Sequence, residues 1–449
     1  MGARATIARV KGSAVAVRQA AARERVAIIG LVFGSRRRIT IESSLDELAR
    51  LVSAAGALVV SRVVQERQKV DPALFIGRGR AELIARAFAV PDDECAGDRP
   101  GSVDLVVVDD ELTSAQLRNL EAVLARRVID RTQLILDIFA KRARTREGRL
   151  QVELAQLRYL LPRVTGHGNR LSRLGAGIGT RGPGETKLET DRRRIRERIG
   201  QLSHELELVC RRRIRTRNRR HKQLGPTVAL VGYTNAGKSA VFNRLTNGGA
   251  EASDALFVTL DPLVRSLKIP DQRLVFLSDT VGFIERLPHA LVAAFGATLE
   301  EVTGADLLIH VVDASRSDWE ARMKSVARVL NEIGASDRPM QLLFNKSDRL
   351  DRDAIEQLRA RHGDAIIASA HTGVGHDRLV QVVMRRLGLY SRRVRITFDA
   401  EGRQGRDAIA SLYRYGRVRE HVLVGGQETV DVEAPEHMIK RLRHCTTIT

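Results

Sequence analysis

Eight consecutive residues, Gly232, Tyr233, Thr234, Asn235, Ala236, Gly237, Lys238 and Ser239, fit the spacing G-x-x-x-x-G-K-[ST]. They follow an apolar run over 228–231 and precede Ala240 to Leu245, which reads as an opening helix. A strand, a glycine-rich loop and a helix N-terminus in that order make a cradle for polyphosphate. Gly232 and Gly237 let the backbone bend so that its N–H groups point inward, and the helix N-terminus adds partial positive charge. In such a loop Lys238 reaches the β- and γ-phosphates and Ser239 holds Mg²⁺. The alternative, a glycine-rich turn with no ligand, is disfavoured by the strand and helix on either side.

Further spacings extend the chemistry. Asp279-Thr280-Val281-Gly282 closes an apolar stretch over 273–278 and has the D-x-x-G arrangement. Asp279 would bind Mg²⁺ through water, and the Gly282 N–H would sense a γ-phosphate. Asn345-Lys346-Ser347-Asp348 follows another apolar run, over 340–344. The Asp348 carboxylate can accept from both N1–H and the exocyclic amine of guanine, a pair that adenine does not offer. Lys346 would lie along the base plane, and the backbone of Ser369 and Ala370 would meet the guanine O6. Thr259, in the loop over 254–265, is the candidate contact to Mg²⁺ and γ-phosphate, with an ordinary strand threonine as its alternative. The expected catalytic set is Lys238, Thr259 and Gly282, and the expected metal set is Ser239, Thr259 and Asp279. The expected ligands are GTP or GDP with Mg²⁺, bound by residues 232–240 together with Asp279, Asn345, Lys346, Asp348, Ser369 and Ala370. Asn235 stands where some GTPases coordinate K⁺; its alternative role is to hold the loop's shape. Phe283 occupies the position where Ras-like proteins use a Gln to orient water. A phenyl ring cannot hydrogen-bond water, which implies slow intrinsic hydrolysis.

These motifs need a parallel sheet to carry them. The 449-residue chain has room for two to four domains, and its 43% hydrophobic content can bury ordinary cores. Its three cysteines form neither a metal spacing nor a disulfide framework, which suits a reducing compartment. No apolar run is long enough to span a bilayer. A cytoplasmic monomer is expected. Residues 1–25 read as a basic flexible tail, with an Arg-rich transit peptide as the alternative. Residues 26–140 alternate strands (26–32, 57–64, 104–109, 128–130) with helices (45–55, 77–90, and one from Thr113), predicting a parallel α/β domain. Residues 225–389 read as the nucleotide domain. Residues 390–449 read as a small α+β domain with strands over 394–398, 418–424 and 428–432 and helices over 406–413 and 435–442. The fold class is therefore α/β, with a helical hairpin inserted between the first two domains.

That hairpin lies over 141–222. Leu150, Leu154, Leu157 and Leu161 keep helical spacing, as do Ile195, Ile199, Leu202, Leu206 and Val209. Two matching stripes separated by glycine-rich sequence predict antiparallel helices. Thr186 to Glu189 offers a capping box for the second. These 82 residues hold 24 Lys+Arg against 8 Asp+Glu, so they carry +16 of the chain's +21. A solvated face would mix signs, so the imbalance points to polyanion. Scarce aromatics (4%) argue against stacking on single-stranded bases, and phosphate contact with folded RNA fits better. Arg170, Arg173, Arg181 and Lys187 in the glycine-rich tip, and Arg192, Arg193 and Arg194 beyond it, are the expected RNA contacts. A flexible linker is the alternative for the tip, but linkers are not this basic.

The string GAGIGTRGPGETKLETDRRRIRERI resembles the signature of HflX-type GTPases, and Arg131 to Arg163 resembles the family's preceding segment. The resemblance implies a GTPase that binds the large ribosomal subunit, with the hairpin tip reaching the peptidyl transferase centre, and that splits or rescues stalled ribosomes under stress. A GTP-regulated ribosome-assembly factor and a protein-partner signalling GTPase are the rival readings. Two departures from the family pattern stand out. Ala240 replaces a threonine after Lys238-Ser239, and Leu263-Val264-Arg265 replaces TTR.

Overall fold

The computed structural model describes residues 23–34, 37–88, 103–164, 183–223, 225–246, 248, 250, 256–257, 262–269, 274–284, 296–389, 391–399, 403–424, 427–435, 439 and 447–448. The chain divides into two compact units. One comprises residues 1–211, 254–260 and 287–295; the other comprises 212–253, 261–286 and 296–449.

The first unit opens with β1 (Arg25–Val32), α1 (Arg38–Ala54), β2 (Leu58–Glu66), α2 (Arg78–Phe88), β3 (Leu105–Val108), α3 (Ser114–Leu124), β4 (Arg127–Asp130) and α4 (Arg131–Arg142). The strands form a parallel sheet in the order β2-β1-β3-β4. β1 and β3 are apolar almost throughout because both of their faces are buried. α1 starts earlier than residue 45, where the sequence placed it. Ile41 continues the buried stripe of Leu45, Leu48, Leu51 and Val52 by one turn, behind the polar Glu42-Ser43. Thr113 caps α3: its hydroxyl accepts from the Gln116 N–H, and the Gln116 side chain accepts from the Thr113 N–H at 3.0 Å.

A buried ionic cluster fastens these layers. Arg131 donates to Asp109 at 2.7 Å and to Glu47, and all three side chains are at most 4% exposed. The cluster ties the start of α4 to α1 and to the end of β3. Arg163 plays a similar part just after the hairpin's first helix. It donates to the Leu112 carbonyl at 2.9 Å and to Asp130 at 3.3 Å, with its guanidinium 3.6 Å over the Tyr159 ring.

The hairpin consists of α5 (Arg146–Leu160) and α6 (Pro183–Gln223). Leu150 and Leu154 pack against Leu202 and Leu206, with Leu157 and Ile199 alongside. Arg146 meets Glu205 at 3.1 Å, and Arg198 meets Glu153 at 2.8 Å. Advance along one helix is therefore matched by retreat along the other, and the pair is antiparallel. The capping-box expectation is corrected: α6 begins at Pro183, so Thr186 and Glu189 fall inside its first turns. Proline favours the first helical position because its φ is preset and its missing N–H would have no partner there.

The second unit carries β5 (Thr227–Gly232), α7 (Lys238–Thr246), β6 (Leu263–Lys268), β7 (Leu274–Asp279), α8 (Gly296–Thr303), β8 (Leu307–Asp313), α9 (Trp319–Glu332), β9 (Met340–Asn345), α10 (Arg352–Arg361), β10 (Ile366–Ile367) and α11 (His376–Arg386). The sheet order is β10-β9-β8-β5-β7-β6, parallel except for the β6 edge. The central strands bring Val228, Leu230, Leu277, Ile309, Val311 and Leu343 into one core with Phe242 of α7. The sequence reading did not foresee β6.

The chain ends in β11 (Ser391–Asp399), α12 (Arg403–Tyr415), β12 (Arg417–Val424), β13 (Gln427–Pro435) and β14 (Thr447–Ile448). These strands form an antiparallel sheet in the order β12-β13-β11-β14, and Leu412 and Ile409 of α12 pack on Ile396, Phe398, Val430 and Val432. β13 runs on to Pro435; apart from Ile439, the helix expected over 435–442 otherwise lies outside the described residues. Among the described residues no helix is long and apolar enough to cross a membrane.

Removing Arg131 would take the paired cation away from two buried carboxylates. Arg131→Ala is expected to destabilise the first unit by about 3–5 kcal/mol, read as a lower urea midpoint for its unfolding. A loss below about 1 kcal/mol would contradict a structural role for the cluster.

Candidate nucleotide site

The site is assembled at the C-terminal ends of β5, β7, β8 and β9. Residues 233–237 connect β5 to α7. Gly232 has φ of 155°, and a Cβ there would lie 2.3 Å from the Val311 carbonyl oxygen on β8. Only glycine lets the loop lie this close to the neighbouring strand. Lys238, the first residue of α7, is 6% exposed. Its Nζ donates to the carbonyls of Gly232 at 3.1 Å and Tyr233 at 3.0 Å. Burial pushes its pKa down to about 8, against the opposing pull of the Asp279 charge. The ammonium is thus held inside the loop by neutral acceptors, where anionic phosphate oxygens would be stronger partners.

Ser239 donates to the Asp279 carboxylate at 2.6 Å. A hydroxyl and a carboxylate oxygen side by side form a hard donor set that fits Mg²⁺. Gly282 lies against the loop: a Cβ there would be 2.8 Å from Thr234 Cγ2 and 3.0 Å from Lys238 Nζ. The next residue bonds to the loop through its backbone. The Thr234 N–H donates to the Phe283 carbonyl at 2.7 Å, and the Phe283 N–H donates to the Gly232 carbonyl at 3.1 Å. Phe283 itself is 2% exposed, so its ring belongs to the core.

On the base-recognition side, Asn345 donates to the Ala236 carbonyl at 2.9 Å and accepts from the Ala370 N–H at 3.0 Å. One amide side chain therefore joins the phosphate loop, the N-K-x-D turn and the Ser369-Ala370 segment. Lys346, with φ of 63°, donates to the Asn235 carbonyl at 2.9 Å and pairs with Asp313 at 2.8 Å. Ser369 donates to Asp348 at 2.5 Å, and this bond is the chief cause that holds the Asp348 carboxyl below its usual range. The carboxylate is fixed in its ionised, accepting form.

The structure thus brings together residues 232–240, Asp279, Gly282, Asn345, Lys346, Asp348, Ser369 and Ala370. Thr259, Arg170, Arg173 and Arg181 lie outside the described residues, as does the side chain of Lys187. Arg192, Arg193 and Arg194 lie on α6, where Arg193 meets Glu197 at 3.8 Å in an exposed pair worth little. Sequence reasoning missed three supports. Asp313 pairs with Lys346, though its place at the end of an apolar strand was visible. The Arg322 guanidinium lies 4.3 Å over the Tyr233 ring and is held by Asp318 at 2.9 Å. His310 is buried on β8, a lone polar residue in the run LLIHVV.

In the free chain Lys238 loses its proton near pH 8, whereas polyphosphate favours the ammonium. Nucleotide binding above that pH is therefore expected to take up a fraction of a proton, with affinity falling as pH rises. Calorimetry at about pH 8.5 in two buffers of different ionisation heat measures this. No uptake, or the same uptake in Lys238→Met, would contradict the assignment.

Residues 227–346 match the family described as 50S ribosome-binding GTPase, residues 42–140 the GTP-binding GTPase N-terminal family, and residues 142–220 the GTP-binding GTPase middle region. The GTPase HflX of Lacrimispora saccharolytica is 47% identical over 377 residues, covering 83% of this chain and 85% of its own. That of Caldanaerobacter subterraneus is 48% identical over 346 residues, 77% of each chain. That of Escherichia coli is 46% identical over 345 residues, 76% of this chain and 79% of its own. Likeness on this scale, together with a phosphate loop and a guanine-reading turn joined through Asn345, makes the chain a GTP-hydrolysing member of the HflX family of GTPases.

Proposed function

We propose that this GTPase binds the large ribosomal subunit under the control of GTP and separates stalled ribosomes into subunits. The observation that carries the reading is a hairpin holding 24 Lys+Arg against 8 Asp+Glu in a chain with an HflX-type nucleotide site. A helix pair whose seam is apolar leaves its outer faces to meet phosphate. Arg192, Arg193 and Arg194, together with Arg170, Arg173, Arg181 and Lys187, are the proposed contacts.

The reaction is in-line attack of water on the γ-phosphate of GTP. Lys238 exchanges its two carbonyl partners for phosphate oxygens, and the loop N–H groups take the remaining charge. Ser239 and Asp279, with Thr259, would hold Mg²⁺, which when bound neutralises charge on the phosphates. Asp348, kept ionised by Ser369, selects guanine over adenine. The buried Phe283 ring has no means of orienting water, so intrinsic hydrolysis is slow and ribosomal contact completes the site. Asn235, whose positive φ turns the loop, is the proposed K⁺ contact.

Lys238→Ala is expected to abolish nucleotide-dependent association with ribosomes in a sedimentation assay, and undiminished association would contradict gating. Replacing Arg192, Arg193 and Arg194 by Glu is expected to weaken ribosome association by at least about tenfold, with GTP affinity within about twofold of wild type. Equal loss of both would contradict an RNA-contact role.

A further inference from the structure

We infer that one water molecule binds beneath the phosphate loop between His310 and Thr234, and that through it His310 acts as a positioning residue for the loop. His310 stands in mid-strand on β8 between Ile309 and Val311 and is 3% exposed. Its Nε2 is fully enclosed and has no hydrogen-bond partner among the described residues. The same holds for Oγ1 of Thr234, the third residue of the loop motif, which is also 3% exposed. An enclosed polar atom without a partner costs free energy.

Both residues line one small cavity, with Tyr233, Asp313, Trp319 and Arg322 among its walls. Its volume is about 10 Å³, room for one water and for nothing larger. The surrounding charges are already matched: Asp313 pairs with Lys346, Arg322 with Asp318, and Lys238 with loop carbonyls. Burial, reinforced by the Lys238 charge, pushes the His310 pKa down to about 4, so the imidazole is neutral at working pH. A neutral ring presents either a lone pair or an N–H at Nε2, and water answers both.

The functional consequence runs through Thr234. Its N–H is the group that holds the Phe283 carbonyl at 2.7 Å, next to the D-x-x-G glycine. Fixing the Thr234 side chain therefore also fixes the peptide whose N–H engages the D-x-x-G segment. The effect falls on hydrolysis, where Gly282 must meet the γ-phosphate, more than on GDP binding.

A crystal structure of the full chain with GDP at about 1.5 Å is expected to show an ordered water within hydrogen-bond distance of His310 Nε2 and Thr234 Oγ1. A dry cavity would overturn the inference. His310→Leu, which keeps the bulk but not the bond, is expected to lower kcat for GTP hydrolysis about tenfold while changing GDP affinity less than about threefold. His310→Gln, which retains a donor and an acceptor, is expected to recover most of that loss. Wild-type kcat in His310→Leu, or no recovery in His310→Gln, would sink the positioning role.

Discussion

The nucleotide site depends on how closely the phosphate loop lies on β8. Gly232 leaves no room for a side chain before the Val311 carbonyl, so the loop turns against its neighbouring strand instead of standing away from it. That contact buries Lys238 at the first turn of α7 and sets Ser239 beside Asp279. It also sets the Ala236 carbonyl within reach of Asn345. Burial disfavours the Lys238 ammonium, and the Gly232 and Tyr233 carbonyls offset only part of that cost. Anionic phosphate supplies what neutral carbonyls cannot. The strain on the lysine in the free chain is thus part of what makes the loop selective for polyphosphate.

Elsewhere the apolar and charged residues divide their tasks. Leu150, Leu154, Leu202 and Leu206 hold the hairpin together, each burial contributing about 2 kcal/mol or more. The pairs Arg146–Glu205 and Arg198–Glu153 are largely solvated and contribute well under about 1 kcal/mol each. Charge on this element can therefore be altered with little effect on the fold, as a binding surface requires. Where α1, β3 and α4 meet, the balance is reversed. There Arg131, Glu47 and Asp109 are removed from water, and their mutual pairing becomes structural.

Much of this was legible beforehand, for identifiable reasons. The phosphate loop, Asp279 to Gly282 and Asn345 to Asp348 have spacings that the bound ligand dictates, so local sequence suffices to find them. β1, β3, β5 and β8 are buried on both faces and stand out as apolar runs. β6 escaped notice because an edge strand alternates and borrows its stability from β7. The first turns of α1 were hidden behind Glu42 and Ser43, and Pro183 opened α6 ahead of the capping signal at Thr186. Asp313 beside Lys346 and Arg322 over Tyr233 are tertiary pairings, His310 and Thr234 come to line one cavity from separate elements, and no local pattern encodes these. The ribosome entered the reading through resemblance; the charge pattern alone asked only for a polyanion.

The central claim is that the basic hairpin and the nucleotide site act as one device on the large ribosomal subunit. GTP hydrolysis measured with and without purified large subunits, at physiological salt, tests it for the wild-type chain and for a deletion of residues 166–187. The account predicts strong stimulation in the wild type and its loss in the deletion, with basal hydrolysis unchanged. Absence of stimulation in the wild type, or full stimulation without residues 166–187, would contradict it.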